Sequence, residues 1–245
     1  MYLDTHIHIL PGVDDGPVDV GESVEMARVL VDLGWSGAVA TPHIRPGFCD
    51  EDPEQLRSRA RVFSSTLEEQ GIALHVLPGA EHYLDSIVYE RVLAGRSLPL
   101  GGKGSLLLIE APITHPVPNL AEKVFAMRLK GITPVFAHPE RCHVFSDLEL
   151  ASYVVQAGAH LQLNLGSLAG AYGRSSRALA RQLLDRGLYS VAATDLHGAK
   201  EALDMLGAWV DDLTGAVGPK LRDRLLGENP RRLLEGREAI PLGAA

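Results

Sequence analysis

Gly131-Ile132-Thr133-Pro134-Val135-Phe136-Ala137-His138 holds in one short stretch the pattern on which the fold turns. A glycine able to take the left-handed conformation stops the amphipathic segment before it. A short continuous apolar run follows, as in a strand buried on both faces of a parallel sheet. A side chain able to ligate a metal closes the run. The same order recurs along the chain. Gly34 precedes Ala38-Val39-Ala40, Gly71 precedes Ile72 to Leu77, Gly158 precedes Ala159 to Leu165, and Gly187 precedes Leu188 to Ala193. With Leu3 to Leu10 and Leu106 to Ile109 this makes seven expected strands. Their starts lie roughly thirty residues apart, the length of a βα unit.

The segments between them read as helices. Val20, Val24, Ala27 and Val31 form one apolar face between Val20 and Leu33. Pro53 stands near the start of the second helix, where proline is tolerated. Asn119 to Lys130 and Ser175 to Arg186 are amphipathic, and the chain reads as helical from about Lys200 to Glu235 with Pro219 and Pro230 as breaks. No composition shift or Gly/Ser linker divides residues 1–245, which read as a single domain. Seven βα units point to an α/β fold, a distorted (β/α)7 barrel. An open doubly wound parallel sheet is the alternative, because sequence does not reveal closure.

Hydrophobic residues make up 46% of the 245, enough for a large core, while aromatics are only 5%, so Leu, Val, Ile and Ala must fill it. The formal charge of -8 and the absence of a basic stripe argue against nucleic-acid binding. Bound cations would offset part of that charge. Cys49 and Cys142 are far apart and form no CxxC pair, so neither a disulfide framework nor a thiolate zinc site is expected. No signal peptide or membrane span is read, and a cytoplasmic location is expected.

Nearly every expected strand ends in a potential ligand: His6 and His8, His43, Glu81, Glu110, His138, Asn164, and Asp195 with His197. In a parallel barrel these ends share one face, the face where active sites form. Strand alternation puts His6 with His8, and Asp195 with His197, on the same side. Glu81 alone would pass for a carboxylate at a helix start, and Asp195 for an N-cap. His75, His115, His143 and His160 are read as ordinary histidines. Together, however, carboxylates and imidazoles closing apolar strands would repel one another or stay desolvated without a cation, so a metal site is expected. The loop Pro11-Gly12-Val13-Asp14-Asp15-Gly16-Pro17 adds two acids beside it.

These residues resemble the PHP (polymerase and histidinol phosphatase) superfamily. Within it the chain is most similar to the bacterial manganese-dependent protein-tyrosine phosphatases of the CpsB/CapC/YwqE type. The resemblance rests on Asp4-Thr-His6-Ile-His8 with Leu-Pro-Gly-Val-Asp14-Asp15-Gly-Pro, then Ala-Thr-Pro-His43, Pro-Gly-Ala-Glu81, Leu-Ile-Glu110, Ala-His138-Pro-Glu-Arg141, Gln162-Leu-Asn164-Leu-Gly-Ser and Ala-Thr-Asp195-Leu-His197. It covers residues 1 to about 235. It implies three clustered divalent metals, manganese first, with zinc or iron as alternatives. It assigns the first to His6, His8, Glu81 and Asp195. The second shares Glu81 and adds Glu110 and His138, and the third takes Asp14, His43 and His197. Asp14 is preferred over Asp15 by its spacing from the HxH pair. His82-Tyr83 and the loop Ile44-Arg45-Pro46-Gly47-Phe48-Cys49 depart from the family pattern where a substrate would rest.

The expected reaction is hydrolysis of a phosphomonoester. Arg141 is expected to clamp the phosphate through its fork of donors, rather than pair with Glu140 at the surface. Arg45 is a second candidate for substrate binding, and Asn164 a third. His43, His197 or a coordinated water would supply the proton to the leaving group. Neither Cys49 nor Cys142 is followed by the arginine of a cysteine-phosphatase loop, and GxxxxGK[ST] is absent. The resemblance implies a tyrosine-rich, disordered kinase tail as substrate, on a tyrosine autokinase controlling capsule or exopolysaccharide synthesis. A small-molecule phosphatase of the histidinol-phosphate type is the alternative, followed by another metal hydrolase or a scaffold with a structural metal.

Overall fold

The computed structural model describes residues 1–243. It is an α/β arrangement in which every pairing between strands is parallel. The strands are β1 (Tyr2–Ile7), β2 (Trp35–Ala40), β3 (His43–Ile44), β4 (His75–Pro78), β5 (Glu81–Tyr83), β6 (Leu106–Glu110), β7 (Thr133–Ala137), β8 (His160–Asn164) and β9 (Tyr189–Ala193). Among the described residues they form two sheets, ordered β1-β2-β4 and β3-β5-β6-β7-β8-β9.

The two sheets fit the sevenfold reading. Thr41-Pro42 separates β2 from β3 and Gly79-Ala80 separates β4 from β5, so each pair is one strand broken near its end. Broken this way, the chain has seven strand positions in sequential order. β1 and β9 carry no regular ladder between them, but Asp195 N donates to His6 O at 2.8 Å and His8 N to Leu196 O at 3.0 Å. The seam of the distorted barrel is therefore stitched by the segments that carry the polar cluster. A doubly wound sheet would reverse its strand order at a switch point, and no reversal occurs here.

Helices α1 (Val20–Asp32), α2 (Pro53–Glu69), α3 (Ser86–Leu93), α4 (Leu120–Leu129), α5 (Leu148–Gln156), α6 (Leu165–Ala169), α7 (Arg174–Asp185), α8 (Ala199–Asp223) and α9 (Asn229–Leu234) connect and follow the strands. Their starts are chemically marked: Asp19, Asp52, Asp85 and Asp147 each accept a backbone N–H of the first turn, and Pro53 opens α2. The core combines strand residues such as Ile7, Leu107, Phe136 and Leu161 with helix residues such as Leu30, Phe63 and Trp209.

Several local expectations need correction. The first strand ends at Ile7 rather than Leu10, and the second begins at Trp35 rather than Ala38. The third strand begins at His75 rather than Ile72. The sixth ends at Asn164, because Asn164 caps α6 and turns Leu165 into a helix. Pro219 does interrupt α8, where Gly218 is non-helical at φ 79°. Pro230 breaks nothing: it sits at the first turn of α9, entered from a π-helical turn over Arg224–Glu228. That wider turn accommodates the missing N–H.

Candidate metal centre and active site

The expected ligands converge at the C-terminal ends of the strands. His6, His8, Glu81, Glu110, His138 and Asp195 are all buried there, while His43 and His197 are partly exposed. Glu81 stands at the centre. Its Oε1 lies 3.0 Å from His138 Nε2 and 3.5 Å from His6 Nε2. Its Oε2 lies 2.8 Å from His43 Nδ1 and 3.7 Å from His8 Nε2. Asp195 Oδ1 is 3.1 Å from His6 Nε2 and 3.4 Å from His8 Nε2.

Burial alone would raise the Glu81 and Asp195 carboxyls, but the surrounding imidazoles hold both well below the usual range. The Glu110 carboxyl, at the end of β6, is raised by burial and by the charge of Glu81. Burial pulls the His43 imidazole down, yet the carboxylates of Asp15 and Glu81 carry it up to about 11. His197 is lowered by burial and by His8.

The donor set fits divalent cations, and the reason lies in the hydrogen bonds. His6 Nδ1 faces Gln162 Oε1 at 2.8 Å, and His8 Nδ1 faces Asp14 Oδ2 at 2.7 Å. With each Nδ1–H donated to an oxygen, the two Nε2 lone pairs point at one another across 3.2 Å. Two lone pairs so placed repel unless a cation lies between their directions. Glu81 Oε2 is buried without a satisfied hydrogen bond despite its close neighbours. Among the described residues, four groupings bring ligand atoms within 4.8 Å of one another: His6/His8/Glu81, His6/His138/Asp195, His43/Glu81/Glu110 and His8/Asp15/His43/His197.

Asp14 does not stand where its spacing suggested. Its Oδ2 also accepts His43 N at 3.1 Å and its Oδ1 accepts Gly16 N at 3.0 Å, so it lies behind His8 and holds that ring. The carboxylate that reaches the cluster is Asp15, with Oδ1 3.4 Å from His43 Nε2 and 3.5 Å from His197 Nε2. Spacing from the HxH pair could not separate adjacent residues in a loop. Strand alternation also fails for Asp195 and His197, since β9 ends at Ala193 and Asp195 turns left-handed at φ 55°. His197 nevertheless joins the site, its Nδ1–H donated to Asp195 O at 2.9 Å. His138 too is left-handed, at φ 32°. Such a backbone costs a residue other than glycine roughly 1–2 kcal/mol, and here it re-aims two cluster side chains at the ends of strands.

Arg141 is one-fifth exposed and donates to Asp195 Oδ2 at 2.7 Å. Glu140, the alternative surface partner set aside for Arg141, is buried and accepts Tyr189 Oη–H and Asn164 N–H. The Arg141 guanidinium covers the Tyr172 ring at 4.1 Å, and that of Arg45 covers Tyr83 at 4.3 Å. Both arginines line a cavity of about 190 Å³ above the cluster. Asn164 donates its amide N–H to Asp195 Oδ2 at 2.9 Å and accepts Ser167 N–H at its Oδ1, so it braces Asp195.

His82 turns away from the cavity. It is buried against Leu108 O and Leu98 N, and burial lowers its pKa to about 4. The histidines read as ordinary, His75, His115, His143 and His160, lie outside the four groupings. Cys49 and Cys142 are buried free thiols. Tyr172 and Asp4 went unassigned in the sequence. Asp4 is buried and accepts Thr194 Oγ1–H at 2.6 Å and His6 N at 3.1 Å, anchoring both sides of the barrel seam. Its place in Asp4-Thr-His6 was the available signal. Tyr172, in a loop after α6, offered none.

Comparison with known proteins agrees with this geometry. A family described as capsular polysaccharide synthesis, CpsB/CapC, matches residues 2–235. Tyrosine-protein phosphatase YwqE of Bacillus subtilis is 39% identical over 200 residues, covering 81% of this chain and 78% of that protein. Tyrosine-protein phosphatase CpsB of Streptococcus pneumoniae is 25% identical over 238 residues, covering 95% and 98%. A crystallographic study of YwqE and CpsB, described as metal-dependent tyrosine phosphatases, supplies a structure that superposes with a TM-score of 0.88 at 32% identity, covering 98% of this chain and 96% of the other. The chain belongs to the CpsB/CapC family.

Proposed function

We propose that this chain is a metal-dependent protein-tyrosine phosphatase that uses three divalent ions, manganese first among the candidates. The observation that carries the reading is the convergence of His6 and His8 lone pairs, Glu81 and Asp195 beneath a cavity rimmed by Arg141. His6, His8, Glu81 and Asp195 would hold one ion, Glu81, Glu110 and His138 a second, and Asp15, His43 and His197 a third. Bound there, the ions supply Lewis-acid polarisation of the phosphoryl group and a water of lowered pKa.

The chain's own residues do the rest. Gln162 and Asp14 fix the tautomers and ring planes of His6 and His8. Asn164 and Arg141 share Asp195 Oδ2, which leaves Oδ1 directed at the imidazoles. Arg141 lines the cavity, where its fork can hold a phosphoryl oxygen. A tyrosyl leaving group, with an unperturbed pKa near 10, needs less protonation than an alkyl alcohol. His43 and His197 face Asp15 Oδ1 through Nε2 at 3.4 and 3.5 Å, so both act as ligands in this arrangement and neither is assigned the proton of the leaving group.

The proposed substrate is a phosphotyrosine segment of a bacterial tyrosine autokinase controlling capsule or exopolysaccharide synthesis, in the cytoplasm. Names of the similar proteins and the cavity's open mouth support this. Among the described residues no helix is long and apolar enough to cross a membrane. The test compares kcat/KM for a phosphotyrosine peptide, a phosphoserine peptide and histidinol phosphate. The phosphotyrosine peptide is expected to be hydrolysed best, whereas equal rates on all three, or preference for histidinol phosphate, would overturn the tyrosine assignment.

A further inference from the structure

Eight of the nine residues lining the cavity above the cluster are ionisable; the exception is Phe48, whose side chain is 58% exposed. A phenyl ring at the rim of an otherwise charged cavity gains free energy when an apolar group covers it. The other two rings nearby, Tyr83 and Tyr172, each have a face covered by a guanidinium. Phe48 meets His43 in a T-shaped contact, with ring centroids 5.6 Å apart and planes at 66°.

The ring is also held in place. Arg45 N donates to Cys49 O at 2.6 Å, Cys49 N returns a bond to Arg45 O at 3.1 Å, and Phe48 N donates to Arg45 O at 3.0 Å. The turn needs Gly47 at φ 85°, Cys49 Sγ–H reaches Val13 O, and Arg45 is pinned on Tyr83. A loop held by these contacts presents an exposed aromatic ring at the cavity mouth.

We propose that Phe48 is the wall against which the aromatic ring of the substrate packs, and that it sets selectivity for aryl over alkyl phosphomonoesters. The proposal rests on the phosphomonoesterase reading above. An aryl phosphate whose phosphoryl group reaches Arg141 must carry its ring out through the mouth, where this is the apolar surface on offer. An alkyl phosphate has no ring to stack and gains little from it.

The test measures kcat/KM for a phosphotyrosine peptide and a phosphoserine peptide of the same flanking sequence, in the manganese-loaded wild type and in Phe48→Ala, Phe48→Leu and Phe48→Tyr. The aryl-to-alkyl ratio is expected to fall on the order of tenfold in Phe48→Ala. The loss should sit mainly in KM for the aryl peptide, be smaller in Phe48→Leu, and be absent in Phe48→Tyr. Metal content and melting temperature report separately that the centre and fold are intact. An unchanged ratio in Phe48→Ala, beside a wild type that prefers the aryl peptide, overturns the role of Phe48 while leaving the tyrosine-phosphatase reading in place. A wild type with no aryl preference overturns both.

Discussion

Arg141 makes one bond that positions and one contact that supports: Nη1–H to Asp195, and a face on Tyr172. It also lines the cavity. Arg141→Ala is expected to lower kcat/KM about a hundredfold, the effect of removing one donor to a developing charge, with metal content retained; loss of metal on its removal would show a ligand-bracing role instead. Asp14 and Asp15 separate by the same logic. Asp15→Asn is expected to lose part of the bound metal at any metal concentration. Asp14→Asn should bind the full complement with affinity reduced about 10- to 100-fold, as for a residue that orients a ligand. Metal titration with elemental analysis distinguishes them, and the reverse result would restore Asp14 as the ligand. At this scale the sequence showed the identity of most cluster residues, because each stands directly after an apolar run. It could not choose between neighbours in a loop, where a one-residue shift reverses direction without changing composition.

β5 carries both a cluster residue and a structural one. Glu81 enters the site while His82, on the opposite face, joins Leu108 O of β6 to Leu98 N. A free imidazole titrates near 6.5 and the buried His82 near 4. Between those values the unfolded chain binds a proton that the folded chain does not. Stability from neutral His82 is therefore complete above about pH 6.5 and lost as pH falls toward 4, on the order of 3 kcal/mol in all. Urea unfolding from pH 7 to 4.5 should show a steeper loss for the wild type than for His82→Gln; parallel curves would contradict the assignment. Alternation within a strand separates Glu81 from His82, but the motif Pro-Gly-Ala-Glu81-His82-Tyr83 does not say which face is inward. The seven runs and their glycine stops were legible because burial on both faces demands continuous apolar residues. The breaks at Thr41-Pro42 and Gly79-Ala80, the early stop of β8 at the Asn164 cap and the smooth passage through Pro230 depend on tertiary pairing and were not.

For the whole molecule, an acidic chain folds so that carboxylates and imidazoles from six of the seven strand positions meet where β1 and β9 approach each other, with the amides of Gln162 and Asn164 from the remaining one. Asp4, Thr194 and the backbone of His6 and Asp195 stitch that seam within reach of the cluster. Cations bound to the folded chain alone would stabilise it by mass action and relieve repulsion among groups that burial keeps from water. The most direct measurement strips the protein with EDTA, follows hydrolysis of a phosphotyrosine peptide and the melting temperature, and then adds back manganese. Activity is expected to vanish and return, and the melting temperature to fall and recover with it. Full activity in the stripped protein, with no metal found by elemental analysis, would contradict the account.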